Sequence, residues 1–256
     1  MGRDRYGLWT RIAIDGPGSQ PITQRLRWIP PGRFLMGSPE NEHDRLDREG
    51  PQHEVTFKQG FWLFDTACTQ ALWQAVMGDN PSRFQFPDRP VENVDFKAVQ
   101  EFTEKINKEH PGLALTLPSE AQWEYACRAG TTAPFSFGED ITQEQVNYDG
   151  NFPYRDGPKG EYRKQTVPVA SLPPNPWGLY EMHGNVWEWC ADAWHESYAE
   201  APADGSARGD RPMAVRMMRG GSWRDRAHSV RAACRDRDGP VYRFGGLGFR
   251  CTRVQS

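Results

Sequence analysis

The 256-residue sequence predicts a single α+β domain with little regular secondary structure. Three observations lead there. Only three windows carry helical periodicity, the strand-like runs are short and scattered, and residues 130–222 read mostly as turns (FSFGED, NYDGNFPYRDGP, SLPPNPWG). Composition agrees: 37% hydrophobic residues, 25 glycines and 21 prolines, with ten Trp and 13 Phe as large core residues in a chain of mean hydropathy −0.78. A disordered or collagen-like chain is excluded.

Taken in order, strand-like pieces are expected at Arg27–Ile29, Phe34–Met36 and Glu54–Phe64. A first helix is predicted over Thr69–Met77, with Leu72, Trp73, Val76 and Met77 on one stripe and Gly78-Asp79-Asn80-Pro81 as its stop. A second runs from Asp95 to Lys108 and carries Phe96, Val99, Phe102 and Ile106 on one face. The third follows Ser119, which forms an S-x-x-Q capping box with Gln122. A last strand is expected at Phe249–Arg253. Residues 1–26 read as an N-terminal arm or extension and 27–256 as the domain; the linker-like APADGSARG at 201–209 is too short to mark a boundary.

Net charge of −3 and a pI near 6.1 give no global basic field, so no nucleic-acid partner is expected. Arginine dominates the cations, 25 against six lysines. No apolar run is long enough to cross a membrane and no secretory leader is visible, so the expected setting is cytoplasmic, without membrane insertion. Five cysteines (68, 127, 190, 234, 251) without CxxC spacing suggest neither a disulfide framework nor a zinc site. No GxSxG, P-loop or HExxH occurs, and the six histidines show no HxxxH spacing; each reads as a packing or surface residue. No catalytic residue is assigned.

Six segments, in order, resemble the formylglycine-generating enzyme (sulfatase-modifying factor) family: Ile29–Ser38 (IPPGRFLMGS), Arg89–Asp95 (RPVENVD), Leu117–Gly130 (LPSEAQWEYACRAG), Trp177–Trp189 (WGLYEMHGNVWEW), Arg219–Trp223 (RGGSW) and Leu247–Arg250 (LGFR). The resemblance implies a C-type-lectin-like fold, with a small twisted sheet, two or three helices and much ordered loop. It also implies calcium: in the family the GNxWEW turn wraps an ion with main-chain carbonyls and the glutamate, matched here by Gly184, Val186 and Glu188, and Asn147 resembles part of a second such site. No cofactor is required beyond such a structural calcium. Read from the residues alone, Glu124 and Glu188 are buried hydrogen-bond acceptors and the tryptophans are core packing.

The family's oxidases use two cysteines just after the RGGS turn to hold a soft metal. Counted from Ser222, those positions are Asp225 and Val230. The iron-dependent sulfoxide synthases of the family draw histidines from an added helical domain, which is not found in this sequence. The stretch after Trp223 instead resembles the variable proteins of diversity-generating retroelements. A frame of Trp223, Ala227, Val230-Arg-Ala-Ala233, Arg235, Pro240, Arg243 and Leu247-Gly-Phe-Arg-Cys251 encloses 15 intervening residues: Arg224, Asp225, Arg226, His228, Ser229, Cys234, Asp236, Arg237, Asp238, Gly239, Val241, Tyr242, Phe244, Gly245 and Gly246. Randomising both adenines of an AAC codon never yields Lys, Glu, Gln, Met or Trp. Those types make up 53 of the 256 residues, yet none stands among the 15.

The expected function is therefore a non-catalytic, ligand-binding protein whose region 219–251 displays a diversified surface. Gly220 and Gly221 allow an unusual turn, Trp223 and Phe249 anchor it, and Arg231, Arg235 and Arg250 pin loop carbonyls. A protein ligand is expected, because dispersed loop positions give a broad surface rather than a deep pocket. Arg224, Arg226, Arg237, Tyr242 and Phe244 suit a partner with some acidity, partly offset by Asp225, Asp236 and Asp238. Two alternatives remain: an oxidase or other enzyme of the same fold, and a calcium-dependent carbohydrate binder by analogy with lectins.

Overall fold

Each of the three predicted helices starts at its cap. In the computed structural model, which describes residues 1–16, 20–209 and 214–254, α1 (Gln70–Met77) begins where the Thr69 hydroxyl accepts from the Leu72 N–H and ends at Gly78, whose φ of 89° only glycine adopts freely. The Asp95 carboxylate caps α2 (Phe96–Glu109) at the Ala98 N–H, and Ser119 and Gln122 complete the capping box of α3 (Glu120–Arg128). Phe96, Val99, Phe102 and Ile106 are the buried stripe of α2. Burying each such side chain stabilises the fold by about 1.5–3 kcal/mol.

The strands, in chain order, are β1 (Gly2–Asp4), β2 (Gly7–Ile14), β3 (Ile22–Ile29), β4 (Gly32–Met36), β5 (His53–Phe57), β6 (Phe61–Phe64), β7 (Leu115–Thr116), β8 (Trp187–Ala193), β9 (Arg216–Arg219), β10 (Arg235–Asp238), β11 (Leu247–Gly248) and β12 (Thr252–Val254). Six of them form one antiparallel sheet in the order β1-β2-β3-β6-β12-β7. The boundary expected between residues 26 and 27 falls inside β3, and Ile12 and Ile14 of β2 are buried in the main core, so the expected arm contributes β1, β2 and the first part of β3 to the sheet. The single strand expected over Glu54–Phe64 is two. A turn at 58–60 divides it, where a Cβ on Gly60 would lie 2.5 Å from the Ile29 carbonyl, and the halves pair with different partners, β5 with β4 and β6 with β3.

A second sheet runs β10-β9-β8-β11, with β11 parallel to β8 and the other pairs antiparallel. Between the six-stranded sheet and α1 and α2 lies the main core, where Trp73 stacks on Phe102 at 5.5 Å and Phe249 meets both rings edge-on. A second cluster gathers Trp123 and Cys127 of α3 with Cys190 and Met217, and a third joins Phe135, Val146, Tyr148 and Tyr154 to Ala227 and Val230 of the C-terminal segment. No helix among the described residues is long and apolar enough to cross a membrane.

Candidate ligand-binding surface

Residues 219–251 leave the interior at β9 and return to it at β11. The turn between Arg219 and Trp223 is made by two glycines at positive φ, 98° at Gly220 and 70° at Gly221. A Cβ on Gly221 would lie 2.5 Å from Val230 Cγ1, so no other residue fits. Trp223 follows, 8% exposed, and its indole N–H donates to the Gly245 carbonyl at 2.6 Å. One side chain thus ties the start of the segment to its end.

Four arginines, Arg219 of the RGGSW turn and Arg231, Arg235 and Arg250 of the frame, hold the rest from below. Each is sealed from solvent and pairs with a buried glutamate: Arg219 with Glu124, Arg231 with Glu42 and Glu49, Arg235 with Glu120, Arg250 with Glu188. They also donate to main-chain carbonyls, those of Ala232 and Ala233 for Arg219, His228 and Asp44 for Arg231, Arg48 and His195 for Arg235, and Phe64 and Tyr180 for Arg250. Buried charges persist only with such partners. Glu124 and Glu188 are accordingly acceptors in ion pairs. His183 backs the same segment: its Nδ1 lies 2.7 Å from the Val230 carbonyl and its Nε2 accepts from the Ser136 N–H at 3.1 Å, while burial pushes its pKa down to about 4 and keeps it neutral.

Against this frame, the intervening residues sort by exposure. Arg224, Arg226, Arg237, Val241 and Tyr242 are exposed; Asp225, His228, Ser229, Asp236, Asp238, Gly239, Phe244 and Gly245 are half-buried. Two depart from the expected display. Cys234 is 2% exposed and belongs to the main core; it lies in the turn before β10, where its N–H donates to the Arg231 carbonyl. Gly246 is buried, its carbonyl accepts from the Trp187 N–H, and a Cβ there would lie 2.8 Å from the Phe244 ring. Asp225 is also committed: its Oδ2 accepts from the Trp187 indole at 2.9 Å, the Ser222 N–H at 3.0 Å and the Ser222 hydroxyl. Two frame residues depart as well, Pro240 half-buried and Arg243 exposed.

Position along the segment separates two flanks. Asp236 and Arg237 lie on β10 beside Arg48, Glu196 and the Trp194 ring. Arg224, Arg226, Tyr242 and Phe244 lie on the other, where two loops that the sequence analysis left without a role come alongside. Phe84 meets Trp223 edge-on at 5.5 Å, Tyr162 stacks on it at 6.1 Å, and the Ala227 N–H donates to the Phe152 carbonyl. Their signal in the sequence was aromatic rings within turn-rich stretches, SRFQF and NYDGNFPYRDGP. Two cavities of about 540 and 490 Å³ lie elsewhere, lined by residues including Phe96, Ser119 and Arg216, and Trp9, Asp65 and Tyr180; neither contains any of the 15 positions.

The calcium expectation meets a clear geometry. Both Glu188 oxygens accept from Arg250, at 2.7 and 2.8 Å, and Oε2 also takes the Trp123 indole N–H at 2.7 Å. The carboxylate expected beside Gly184 and Val186 is thus already neutralised and does not fit a cation ligand. Asn147 pairs with Gly184 in a parallel bridge, and its Oδ1 is buried without a hydrogen-bond partner. Among the described residues no group of three or more His, Cys, Asp or Glu is placed to hold a metal ion. The soft-metal site fits no better: Asp225 is bonded as above and Val230 is buried in the third apolar cluster.

The profile of the sulfatase-modifying factor enzyme 1-like domain matches residues 17–255. The chain belongs to that family. It is 32% identical to the formylglycine-generating enzyme of Streptomyces coelicolor over 93% of its own length and 92% of that protein's. Among solved structures, PvdO from Pseudomonas aeruginosa shares 32% identity at a TM-score of 0.78, covering 90% of this chain and 94% of that one. Treponema denticola variable protein 1 superposes at 0.73 with 23% identity, covering 95% and 98%, a likeness of fold alone. The expected α+β fold of the formylglycine-generating-enzyme type is therefore the fold observed. Relatives also include a longer protein, the serine/threonine-protein kinase pkn1 of Chlamydia caviae, 29% identical over 91% of this chain; the chain spans 38% of that relative's length.

Proposed function

We propose that this member of the family is a non-catalytic ligand-binding protein that displays residues 224–246 as a diversified surface, as the variable proteins of diversity-generating retroelements do. One observation carries the reading. The frame of the C-terminal segment is buried and bonded nearly throughout, while of the 15 residues between five are exposed, eight half-buried and only Cys234 and Gly246 buried. A surface whose backbone is fixed by Gly220, Gly221, Trp223 and four buried arginine–glutamate pairs tolerates exchange of outward side chains, because none of those contacts depends on them. A protein partner fits this broad face better than a small molecule. Sequencing the same locus in sister strains tests the proposal. Differences should gather at the 13 open positions; an even spread along the gene would sink it.

The competing reading is an oxidase like the formylglycine-generating enzymes among its relatives, and the 32% identity to the Streptomyces coelicolor protein favours it. Asp225 and Val230 stand where that chemistry places its thiols, and the five cysteines of this chain are buried. Incubation with copper and a cysteine-containing sulfatase peptide distinguishes the two. An aldehyde product would establish the oxidase, and its absence is the expected outcome.

A further inference from the structure

The face around Trp223 is wider than the C-terminal segment. Four rings on it each carry a cation: Arg224 lies over Phe244 at 5.5 Å, Arg83 over Phe84 at 5.2 Å, Arg226 over Phe152 at 4.3 Å, and Lys164 over Tyr162 at 5.9 Å. Phe84 and Tyr162 both touch Trp223, and Arg83 packs beside Gly245. Phe152 is joined to the segment through the Ala227 N–H, and the Asp149 N–H donates to the Asp225 carbonyl. Arg83, Arg224, Arg226, Lys164 and Phe152 are exposed.

The carboxylates near this face are engaged with other groups. Asp225 is taken by Ser222 and Trp187, Glu92 is buried and accepts from the Phe84 N–H, and Asp149 is buried and holds Asn151. Glu161 pairs with Arg163. Among the described residues, none of the four ring-bound cations has a carboxylate partner, in contrast to Arg237 on the opposite flank, which is held by Glu196. Arginine over an aromatic ring keeps its N–H fork free to accept a carboxylate while the ring supplies apolar contact.

Building on the display reading above, we infer that the binding face is composite and takes an acidic segment of a partner protein. Arg83, Phe84, Phe152, Tyr162 and Lys164, all outside residues 224–246, form its constant half. The C-terminal segment then tunes which acidic partner is held, and the loops at 82–86 and 149–164 provide the common attraction for negative charge. That division explains why Phe84 and Tyr162, from two separate loops, meet on the Trp223 indole.

The test is a random-peptide phage library selected against the full chain, with the enriched peptides resynthesised and titrated by calorimetry. Titrations compare wild type with Arg83→Ala and Phe152→Ala, outside the segment, and with Arg224→Ala and Arg226→Ala, inside it. All four side chains are exposed, and unchanged melting confirms folding. Expected are peptides rich in Asp and Glu, weakened about tenfold by substitutions of either group and weakened further as salt is raised. Peptides sensitive only to Arg224 and Arg226 overturn the composite face but leave the display reading standing. Peptides without acidic residues overturn the partner class. Peptides indifferent to all four substitutions overturn both.

Discussion

Arg231 and Glu49 face each other as a two-pronged pair, 2.9 Å between Nη1 and Oε2 and 2.7 Å between Nη2 and Oε1, with neither side chain reaching solvent. The arginine comes from the displayed segment and the glutamate from a loop 182 residues earlier. Removing one partner leaves Glu49 and Glu42 charged and buried. Arg231→Met should therefore lower unfolding stability by about 3–5 kcal/mol, read from urea denaturation. A loss below about 1 kcal/mol would show that the pair is wet and the frame weaker than its geometry indicates.

Tyr242 and Phe244 touch at 5.6 Å but differ in depth. Tyr242 is 45% exposed, whereas Phe244 is half-buried and packs on the main core. Tyr242→Ala should leave stability within about 0.5 kcal/mol of wild type, and Phe244→Ala should cost about 1–2 kcal/mol. Thermal melts of the two single variants check this. Equal losses would place both rings on the same layer.

The thiols should be silent in the native chain. All five are buried, and burial pushes Cys234 up to about 12 and the others up as well. A thiolate-specific reagent should label none of them until denaturant is added. Rapid native labelling at Cys234 would return that residue to the exposed set.

Glu181 gives a pH signature. Burial pushes its carboxyl from 4.5 up to about 7, against the hydrogen bonds it accepts from the Ala170 and Leu172 N–H groups and the charge of Arg250. The folded chain keeps this proton between about pH 4.5 and 7, where the unfolded chain has released it. The contribution to stability is therefore full below about pH 4.5, declines as pH rises, and is gone above about pH 7. Glu181→Gln cannot titrate. Its stability relative to wild type should climb by up to about 3 kcal/mol across that window. His183, pushed down to about 4, acts in the opposite direction but is common to both proteins and cancels in the difference. A flat difference would mean that Glu181 ionises freely in the fold.

The helices were legible because their caps are local: Thr69, Asp95 and the Ser119–Gln122 box are read within four residues of the helix start. Strands β8 and β9 were not. In β8, WEWCADA, six of seven residues are buried, so neither face gives an alternating signal. In β9, RMMR, the arginines read as surface but are buried, held by partners such as Glu124 that lie far away in sequence. On the proposed binding face, 13 of the 15 C-terminal residues named from their pattern are exposed or half-buried. Cys234 was misplaced because inward and outward positions in irregular loops follow no period, and Phe84, Phe152 and Tyr162 were missed because only the folded chain brings their loops to Trp223.

Strand β12, which follows the C-terminal segment along the chain, lies between β6 and β7 rather than at a margin of the sheet. A nascent chain broken off anywhere before Thr252 leaves both of those neighbours with bare, sticky edges, the condition that quality-control proteases and chaperones act on. Filling the gap between β6 and β7 thus requires the chain to have passed through the whole of residues 219–251. On the display reading, closing the sheet checks that the segment is complete while remaining indifferent to most of the side chains it carries.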